Sequence, residues 1–279
     1  MTRLRIGRTV RLYRNVAMER RRLRAALSKP IGPVVAYGHP KTATRSIESA
    51  IASLPDAEAF HAHMLHPMHF TKRNNVFVPP LPSGLCPEDQ PSQWSISKAI
   101  DSNKRIMLVS AVRDPVAVNV SWFFFGLQRW LRSPRPVDPE SIPFNTLQTL
   151  FHEGFPHQGI LNWFTEEWER VTGAELRMID GVRSEGHATT AVGNCRACVF
   201  SAHRPDTSKA EILAEFLGVA GDSITFPRTN LGVNRPGSDV YERLKIMVAS
   251  DSRYLDSMYN SAYSRHFFSK DQIEAFRAS

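Results

Sequence analysis

The amino-acid sequence predicts an α/β protein with a mainly parallel central sheet flanked by helices. Two apolar runs, at 34–37 and 106–112, are short and rich in β-branched residues, as buried strands are. Each is followed by a polar loop and then by a segment with helical spacing, at 42–54 and 116–130. Strands that alternate with helices in this way favour a parallel sheet covered on both faces.

The rest of the chain continues the alternation. Strands are also predicted at 59–65, 176–179 and 197–201, and helices at 97–103, 160–171, 208–217, 240–249, 252–263 and 270–276. Proline-rich loops are predicted at 78–93 and 133–143, and an irregular segment at 226–237. We therefore expect one α/β domain over residues 30–279, preceded by a basic segment at 1–29 for which a helix is one interpretation.

The charge balance favours anionic partners. The chain of 279 residues has a net charge of +8 and a pI of about 9.7, which suits nucleotides, nucleic acid, acidic glycans or a membrane surface without choosing among them. Apolar residues alternate with arginines in residues 1–29, which is typical either of a solvated basic helix or of a helix bound to anionic lipid. The arginines are Arg3, Arg5, Arg8, Arg11, Arg14, Arg20, Arg21, Arg22 and Arg24.

The targeting signals that we expect to be missing and the low cysteine content favour a cytoplasmic location. The charged start is not followed by an apolar run, so we expect no signal peptide, and no stretch is long and apolar enough to span a bilayer. Three cysteines are too few for a disulfide scaffold. We expect a cytoplasmic protein, with peripheral contact to the inner face of the membrane through residues 1–29 as a further hypothesis. Few contacts of the sheet should then depend on that segment.

The loop between the first strand and its helix, residues 38–46, has the composition of an anion site. A helix N-terminus offers unpaired N–H groups and the positive end of a dipole. The side chains that would contribute are the ammonium of Lys41, the hydroxyls of Thr42, Thr44 and Ser46, and the guanidinium of Arg45. The Gly-Lys pair of the nucleoside-triphosphatase P-loop is missing, so this order suits an anion held without a metal ion. The alternative is an ordinary capped helix start.

A second candidate element, Arg113-Asp114-Pro115, directly follows the strand predicted at 106–112. Ligands of parallel sheets gather at the carboxyl ends of strands, so we expect Arg113 on the same rim as Lys41. A guanidinium together with the later hydroxyl of Ser121 would bind a second phosphate. The alternative is a simple turn with a helix cap.

Together, the two elements resemble the sulfotransferase superfamily, whose donor is 3′-phosphoadenosine 5′-phosphosulfate (PAPS). Lys41-Thr42-x-Thr44-Arg45 is similar to its 5′-phosphosulfate loop, and Arg113 with Ser121 to its 3′-phosphate site; Ala43 stands where many members have glycine. The segments 162–167 and 259–273 resemble bacterial capsular polysaccharide synthesis proteins. The resemblance extends over residues 34–276, strongly at these blocks and loosely between them.

The resemblance implies a P-loop-like sulfotransferase fold and transfer of a sulfuryl group from PAPS to a hydroxyl of a carbohydrate, such as a capsular or cell-surface glycan, with no metal required. Lys41 would stabilise the leaving oxygen. The implied nucleotide-binding residues are Lys41, Thr42, Ala43, Thr44, Arg45, Ser46, Arg113 and Ser121, with Arg235 of a late loop reaching the 3′-phosphate.

The acceptor hydroxyl needs a base, and three histidines follow the second predicted strand. Histidine titrates near neutral pH, and the superfamily often has its catalytic histidine or glutamate near this point. We take His63 as the catalytic base, with His61 and His66 as alternatives. A metal site built from the three is a weaker alternative, because no carboxylate lies in register with them.

Two other groups of residues have both a functional and a structural interpretation. The loosely spaced set His187, Cys195, Cys198 and His203 would suit zinc, but Cys198 begins an apolar run and we expect buried structural cysteines. The aromatic residues at 122–125 and 163–164 would line an acceptor groove or, as is more common, fill the core.

Two further functions are compatible with the composition. A nucleotide kinase would need the Gly-Lys pair that is missing. A non-enzymatic nucleic-acid-binding or membrane-binding protein on a P-loop-like fold would use the positive charge and the arginine-rich start. Nucleic acid is the less favoured partner, because no RNA-recognition signature and no paired zinc finger is present.

Overall fold

A computed structural model describes residues 2–66, 71–73, 76–78, 90–131, 133, 135–227 and 237–279, and the side chains of these ranges except 2–13, 71–73, 76–78, 90 and 91. The strands are β1 (Gly32–Tyr37), β2 (Ala57–Ala62), β3 (Thr71–Arg73), β4 (Val76–Val78), β5 (Ile106–Val112), β6 (His187–Val192) and β7 (Cys195–Ser201). Five of them form one sheet in the order β2-β1-β5-β7-β6, and β3 pairs with β4 separately.

The sheet is mainly parallel and is flanked by helices, as predicted. β1 runs parallel to β2 and to β5, and β5 runs parallel to β7. Only the edge strand β6 is antiparallel among the strands of this sheet. β1 and β5 are buried along their whole length, which agrees with the apolar runs that predicted them.

Fourteen helices are described outside the gaps named above. They are α1 (Thr2–Ala26), α2 (Thr44–Ala52), α3 (Gln90–Asp101), α4 (Pro115–Phe125), α5 (Leu127–Trp130), α6 (Phe144–Thr149), α7 (Gln158–Trp163), α8 (Glu169–Thr172), α9 (Gly181–Glu185), α10 (Asp206–Leu217), α11 (Ser238–Ser250), α12 (Ser252–Tyr259), α13 (Ala262–Phe267) and α14 (Lys270–Arg277). A π turn, Phe164–Trp168, joins α7 to α8.

Local signals fix the ends of several helices. Asp114 caps α4 by accepting hydrogen bonds from the N–H groups of Val116 (3.0 Å) and Ala117 (3.3 Å), and Pro115 occupies the first turn, as expected. Gly218 ends α10 with a left-handed φ of 72°, a conformation that glycine adopts without steric cost.

Each face of the sheet has its own core. On one face, Val34, Ala36, Val109 and Ala111 pack against α2 and α10. On the other face, side chains of β1, β2 and β5 pack against helices that include α1, α3, α7 and α13. A third cluster of buried residues lies among helices, joining α4 and α6 to α11 and α12. The sheet is therefore covered on both sides, which is the arrangement that buries parallel strands.

Some predicted elements are wrong in type or extent. Residues Leu176–Ile179 form a 3-10 turn rather than a strand, held by the bond from the Leu176 N–H to Glu169 Oε1 (2.9 Å). β6 was not predicted, because an edge strand with half-exposed side chains has no apolar run. The helix predicted at 116–130 breaks at Gly126, and the one at 252–263 divides into α12 and α13.

The basic N-terminal segment is helical as far as Ala26, but the prediction that few contacts of the sheet depend on it is wrong. Leu23 and Ala26 lie in the core. Arg22 donates to the carbonyl of Ala59, and Lys29 donates to that of Ala57 (2.7 Å), so both cations satisfy acceptors on the exposed edge of β2. The second half of the segment is thus part of the globular fold.

The cysteine residues that the structure describes are structural, as expected. Cys195 packs into the core on one face of the sheet and Cys198 into the core on the other. Side chains on opposite faces cannot bind one ion, which removes the zinc alternative. Within the described ranges no three His, Cys, Asp or Glu side chains are grouped as metal ligands would be, and no helix has the length and apolar character needed to cross a bilayer.

Candidate functional site

The two candidate anion-binding elements meet at the switch point of the sheet. β1 has β2 on one side and β5 on the other, and all three run in the same direction. In open α/β sheets, ligands bind in the crevice outside the carboxyl ends of the two strands where the strand order reverses. The loop 38–46 follows β1 and Arg113 follows β5, so the topology brings both to this crevice.

The loop approaches α2 through two left-handed residues. Lys41 has φ 71° and Ala43, the N-cap of α2, has φ 66°. No side chain in the described part of the chain caps this helix, in contrast to α4. Left-handed backbone costs energy in residues other than glycine, and such strain collects at functional sites. The result is a helix N-terminus whose first N–H groups are not taken by a side-chain cap.

The threonine hydroxyls of the loop have structural contacts. Thr42 is buried and its Oγ1 donates to the carbonyl of His39 (2.7 Å). Thr44 is also buried, and its Oγ1 shares a hydrogen bond of 2.9 Å with His61 Nε2. The hydroxyl proton of Thr42 therefore stabilises the loop, which is a different role from the ligand donor predicted for it.

His63 contacts the first residue of the loop. Its Nδ1 lies 2.6 Å from the carbonyl oxygen of Gly38. A carbonyl only accepts, so Nδ1 carries the proton and Nε2 carries the lone pair in the neutral ring. Burial lowers the pKa of His63 to about 4, and the positive charges of Arg45 and Lys41 also lower it. His63 is therefore neutral at pH 7, with Nε2 unprotonated. The expectation that its pKa lies near neutral pH is wrong, because the ring is buried beside two positive charges.

The two alternative histidines differ from His63. His61 is buried, its Nε2 is engaged by Thr44, and burial lowers its pKa to about 2. His66 follows three residues after His63, and its backbone N–H donates to Glu167 Oε1 (2.9 Å). The His63 ring bonds the backbone of the anion loop directly.

Arg113 is fixed to the loop and to the C-terminal helices. Its Nη1 donates to the carbonyl of Lys41 (3.1 Å). The hydroxyl of Tyr263 accepts from the Arg113 N–H (3.2 Å) and donates to the Arg113 carbonyl (2.9 Å). Tyr259 donates to the neighbouring Asp114 (3.0 Å). The C-terminal helices α12 and α13 thus support the Arg113 turn through these two tyrosines.

Lys41 lies beside an exposed aromatic ring. Its Nζ is 3.5 Å from the centre of the Phe125 ring, a cation–π contact, and Phe125 is 67% exposed. Ser121 is half-buried one helical turn before Phe125, on the same side of α4. The other aromatic residues considered for an acceptor groove are mostly core: Trp122, Phe123, Trp163 and Phe164 are buried, and Phe124 is half-buried.

The remaining predicted ligands lie at the edge of the site or outside the described residues. Arg45 is exposed and forms an ion pair with Glu48 (2.9 Å). Its positive charge also lowers the pKa of His61 and of His63. Ser46 is half-buried in the first turn of α2. Arg235 lies outside the described residues.

Sequence reasoning gave no role in the site to three buried polar side chains near the loop and the turn after β2, which are Ser110, Gln93 and Glu167. Ser110 on β5 is buried with no hydrogen-bond partner for its hydroxyl in the described part of the chain, and a Cβ on Gly38 would lie 3.4 Å from it. Gln93 and Glu167 are buried and bond the backbone that follows β2. The one sequence feature that could have indicated a buried polar group here was Glu167, an acidic residue in a segment rich in aromatic residues.

Comparisons with protein-family models, with curated proteins and with solved structures found no match. The functional interpretation therefore rests on the geometry of the site.

Proposed function

We propose that this chain is a PAPS-dependent sulfotransferase with a P-loop-like fold, and that its acceptor is a hydroxyl of a carbohydrate. The observation that carries the proposal is the bond of 3.1 Å from Arg113 Nη1 to the Lys41 carbonyl. This bond joins the two cationic elements that a nucleotide with one phosphate group on its 5′ side and another on its 3′ side requires. Both elements lie at the crevice where α/β sheets bind ligands.

The loop supplies the 5′ side of the site. The N–H groups at the start of α2 and the Lys41 ammonium favour an anion there. Lys41 is the residue that would balance charge on the leaving oxygen as the bond to sulfur breaks. Ala43, at the position where many sulfotransferases have glycine, has a left-handed φ of 66°, a conformation that glycine adopts without steric cost.

His63 is the proposed general base. Its Nε2 is unprotonated at pH 7, because Nδ1 donates to Gly38 and burial keeps the pKa of the ring near 4. A base must reach the acceptor proton and be in the correct protonation state. The acceptor oxygen attacks sulfur, its proton passes to His63 Nε2, and the electron pair of the breaking S–O bond leaves with the phosphate.

Arg113 and Ser121 are the proposed ligands of the 3′-phosphate. The guanidinium binds phosphate oxygens in a planar fork, and the hydroxyl adds one donor. Tyr263 holds the Arg113 backbone through two hydrogen bonds, which limits the positions that the guanidinium can take. Arg235 remains a predicted additional ligand.

The acceptor assignment is supported by Phe125. An exposed aromatic ring next to the proposed leaving-group lysine is suited to stack against the apolar face of a sugar. We further propose a cytoplasmic location and contact of residues 2–13 with anionic membrane, since Arg22 and Lys29 are already used against β2.

Thermal unfolding tests the proposal. Adenosine 3′,5′-bisphosphate in the presence of EDTA should raise the melting temperature, because a ligand that binds the native state stabilises it by mass action. ATP with Mg²⁺ is the matched comparison. Stabilisation by ATP with Mg²⁺ and none by the bisphosphate would select the kinase alternative instead.

A further inference from the structure

The backbone turn after β2, residues 63–66, is held by side chains from distant parts of the chain. Gln93 Oε1 accepts hydrogen bonds from the N–H groups of His63 (3.1 Å) and Met64 (2.9 Å). Trp163 Nε1 donates to the carbonyl of His63 (2.9 Å). Both polar groups of the His63 backbone are therefore bound by side chains of α3 and α7.

Glu167 completes the set. Its Oε1 accepts from the N–H of Leu65 and from that of His66 (2.9 Å), and also from the hydroxyl of Tyr37 (2.7 Å). The side chain comes from the π turn between α7 and α8, a type of helix irregularity that is frequent at functional sites.

The cost of burial indicates that these contacts are specific. Gln93 is 0% exposed and Glu167 is 2% exposed. Glu167 accepts from the hydroxyl of Tyr37, whose ring contacts the buried rings of Trp163 and Trp168. Polar groups are expensive to bury in such surroundings unless they are hydrogen-bonded, and a turn at the surface would bind water at no such cost.

We infer that Gln93, Trp163 and Glu167 are positioning residues that clamp the backbone of residues 63–66 and thereby hold His63 Nδ1 on the Gly38 carbonyl. The clamp selects the ring tautomer with the proton on Nδ1, which leaves Nε2 free of its proton. The catalytic use of that nitrogen rests on the proposed function, whereas the clamp itself is a property of the fold.

Long-range ¹H–¹⁵N NMR of the histidine rings tests the inference, with the His63 signals assigned by His63→Asn. The protein as it stands should show His63 mainly in the Nδ1–H form. Trp163→Phe keeps an aromatic ring but removes the hydrogen bond to the His63 carbonyl. Glu167→Met keeps a side chain of similar size but removes the oxygen that accepts from Leu65 and His66. Both should shift His63 toward the Nε2–H form that neutral imidazole favours in water.

Two matched variants separate positioning from packing. Trp168→Phe removes an indole N–H that has no partner in the described residues, so the tautomer should not change. Glu167→Gln retains Oε1 as an acceptor and should keep the Nδ1–H form. If Glu167→Met does not fold, Trp163→Phe decides alone.

An unchanged tautomer in Trp163→Phe, or an equal change in Trp168→Phe, would overturn the clamp. Activity provides a second readout: Trp163→Phe should lower kcat at least tenfold and change the Kd of the bisphosphate less than twofold. If the tautomer responds as expected but the unaltered protein does not bind the bisphosphate, the clamp stands and the proposed function fails.

Discussion

Arg113 donates a hydrogen bond of 3.1 Å to the carbonyl of Lys41, a residue held at a left-handed φ of 71°. The bond ties the end of β5 to the loop after β1, across the switch point of the sheet. It also restrains the loop that contains the left-handed residues Lys41 and Ala43, which is the kind of preorganisation that the proposed transfer reaction would need. Arg113 thus has a structural role in addition to its role as the proposed ligand of a phosphate.

The first prediction divides the roles of the two cations. Arg113→Ala should weaken binding of adenosine 3′,5′-bisphosphate at least tenfold, because a charge-assisted bond to phosphate and the restraint on Lys41 are both lost. Lys41→Ala should chiefly lower turnover, since its charge is needed most as the S–O bond breaks. Titration calorimetry and single-turnover kinetics at saturating donor would measure the two effects. Equal losses in the chemical step for both variants would contradict this division.

The second prediction concerns backbone strain at Ala43. Ala43→Gly should raise the free energy of unfolding by about 1 kcal/mol, because glycine adopts the left-handed conformation without the steric cost that alanine bears. Urea unfolding followed by tryptophan fluorescence would measure it. The control is Ala52→Gly, at the exposed end of the same helix, which should be destabilising. The strain account fails if both glycine variants are destabilised alike.

The third prediction concerns the N-terminal helix. Deleting residues 2–13 should leave the melting temperature nearly unchanged but weaken binding to anionic vesicles. Deleting residues 2–29 should lower the free energy of unfolding by more than about 3 kcal/mol, because it exposes the core around Leu23 and the edge of β2. Calorimetry and vesicle co-sedimentation would test the pair. Equal stability of the two deletions would show that the contacts with β2 are dispensable.

The fourth prediction is a loss of stability in mild acid. Burial lowers the pKa of His39 to about 3 and that of His61 to about 2, from 6.5. Below pH 6.5 these two histidines bind protons in the unfolded chain but stay unprotonated in the native protein. The free energy of unfolding therefore keeps its full contribution from them above pH 6.5 and falls as the pH falls. From pH 6.5 to 5.0 the loss should be about 2 kcal/mol for each histidine.

Urea unfolding at pH 7.5, 6.5 and 5.0 checks this slope. In His39→Gln the slope should be clearly shallower, because the amide does not titrate. A free energy of unfolding that is the same at pH 5.0 and 7.5 would contradict the account of these buried rings.

The apolar strands and the loop between β1 and α2 could be predicted because their signals are local. β5 was predicted with its observed bounds, since seven consecutive apolar or small residues bury every position of a central strand. The position of Arg113 beside Lys41 followed from a general rule of parallel sheets. Predictions of this kind need only periodicity and the direction of the strands.

Contacts between segments that are distant in the chain could not be predicted, because they produce no local pattern in the sequence. Arg22 was expected to lie on a solvated or a lipid-bound face, yet it binds a carbonyl on β2. The spacing of Val16 and Leu23 along one face of α1 was the available hint. Gln93 belongs to a stretch predicted as loop, and its burial depends on the turn after β2, which lies some 30 residues away. Single polar residues do not reveal from sequence which distant backbone groups they satisfy.

Titration calorimetry with adenosine 3′,5′-bisphosphate in EDTA tests the central claim most directly, with adenosine 5′-phosphate as the comparison. The account predicts that the bisphosphate binds at least tenfold more tightly, because Arg113 binds the 3′-phosphate, and that Arg113→Ala abolishes this difference. Equal affinity for the two nucleotides, or binding that appears only when Mg²⁺ is added, would contradict a PAPS site built on Lys41 and Arg113.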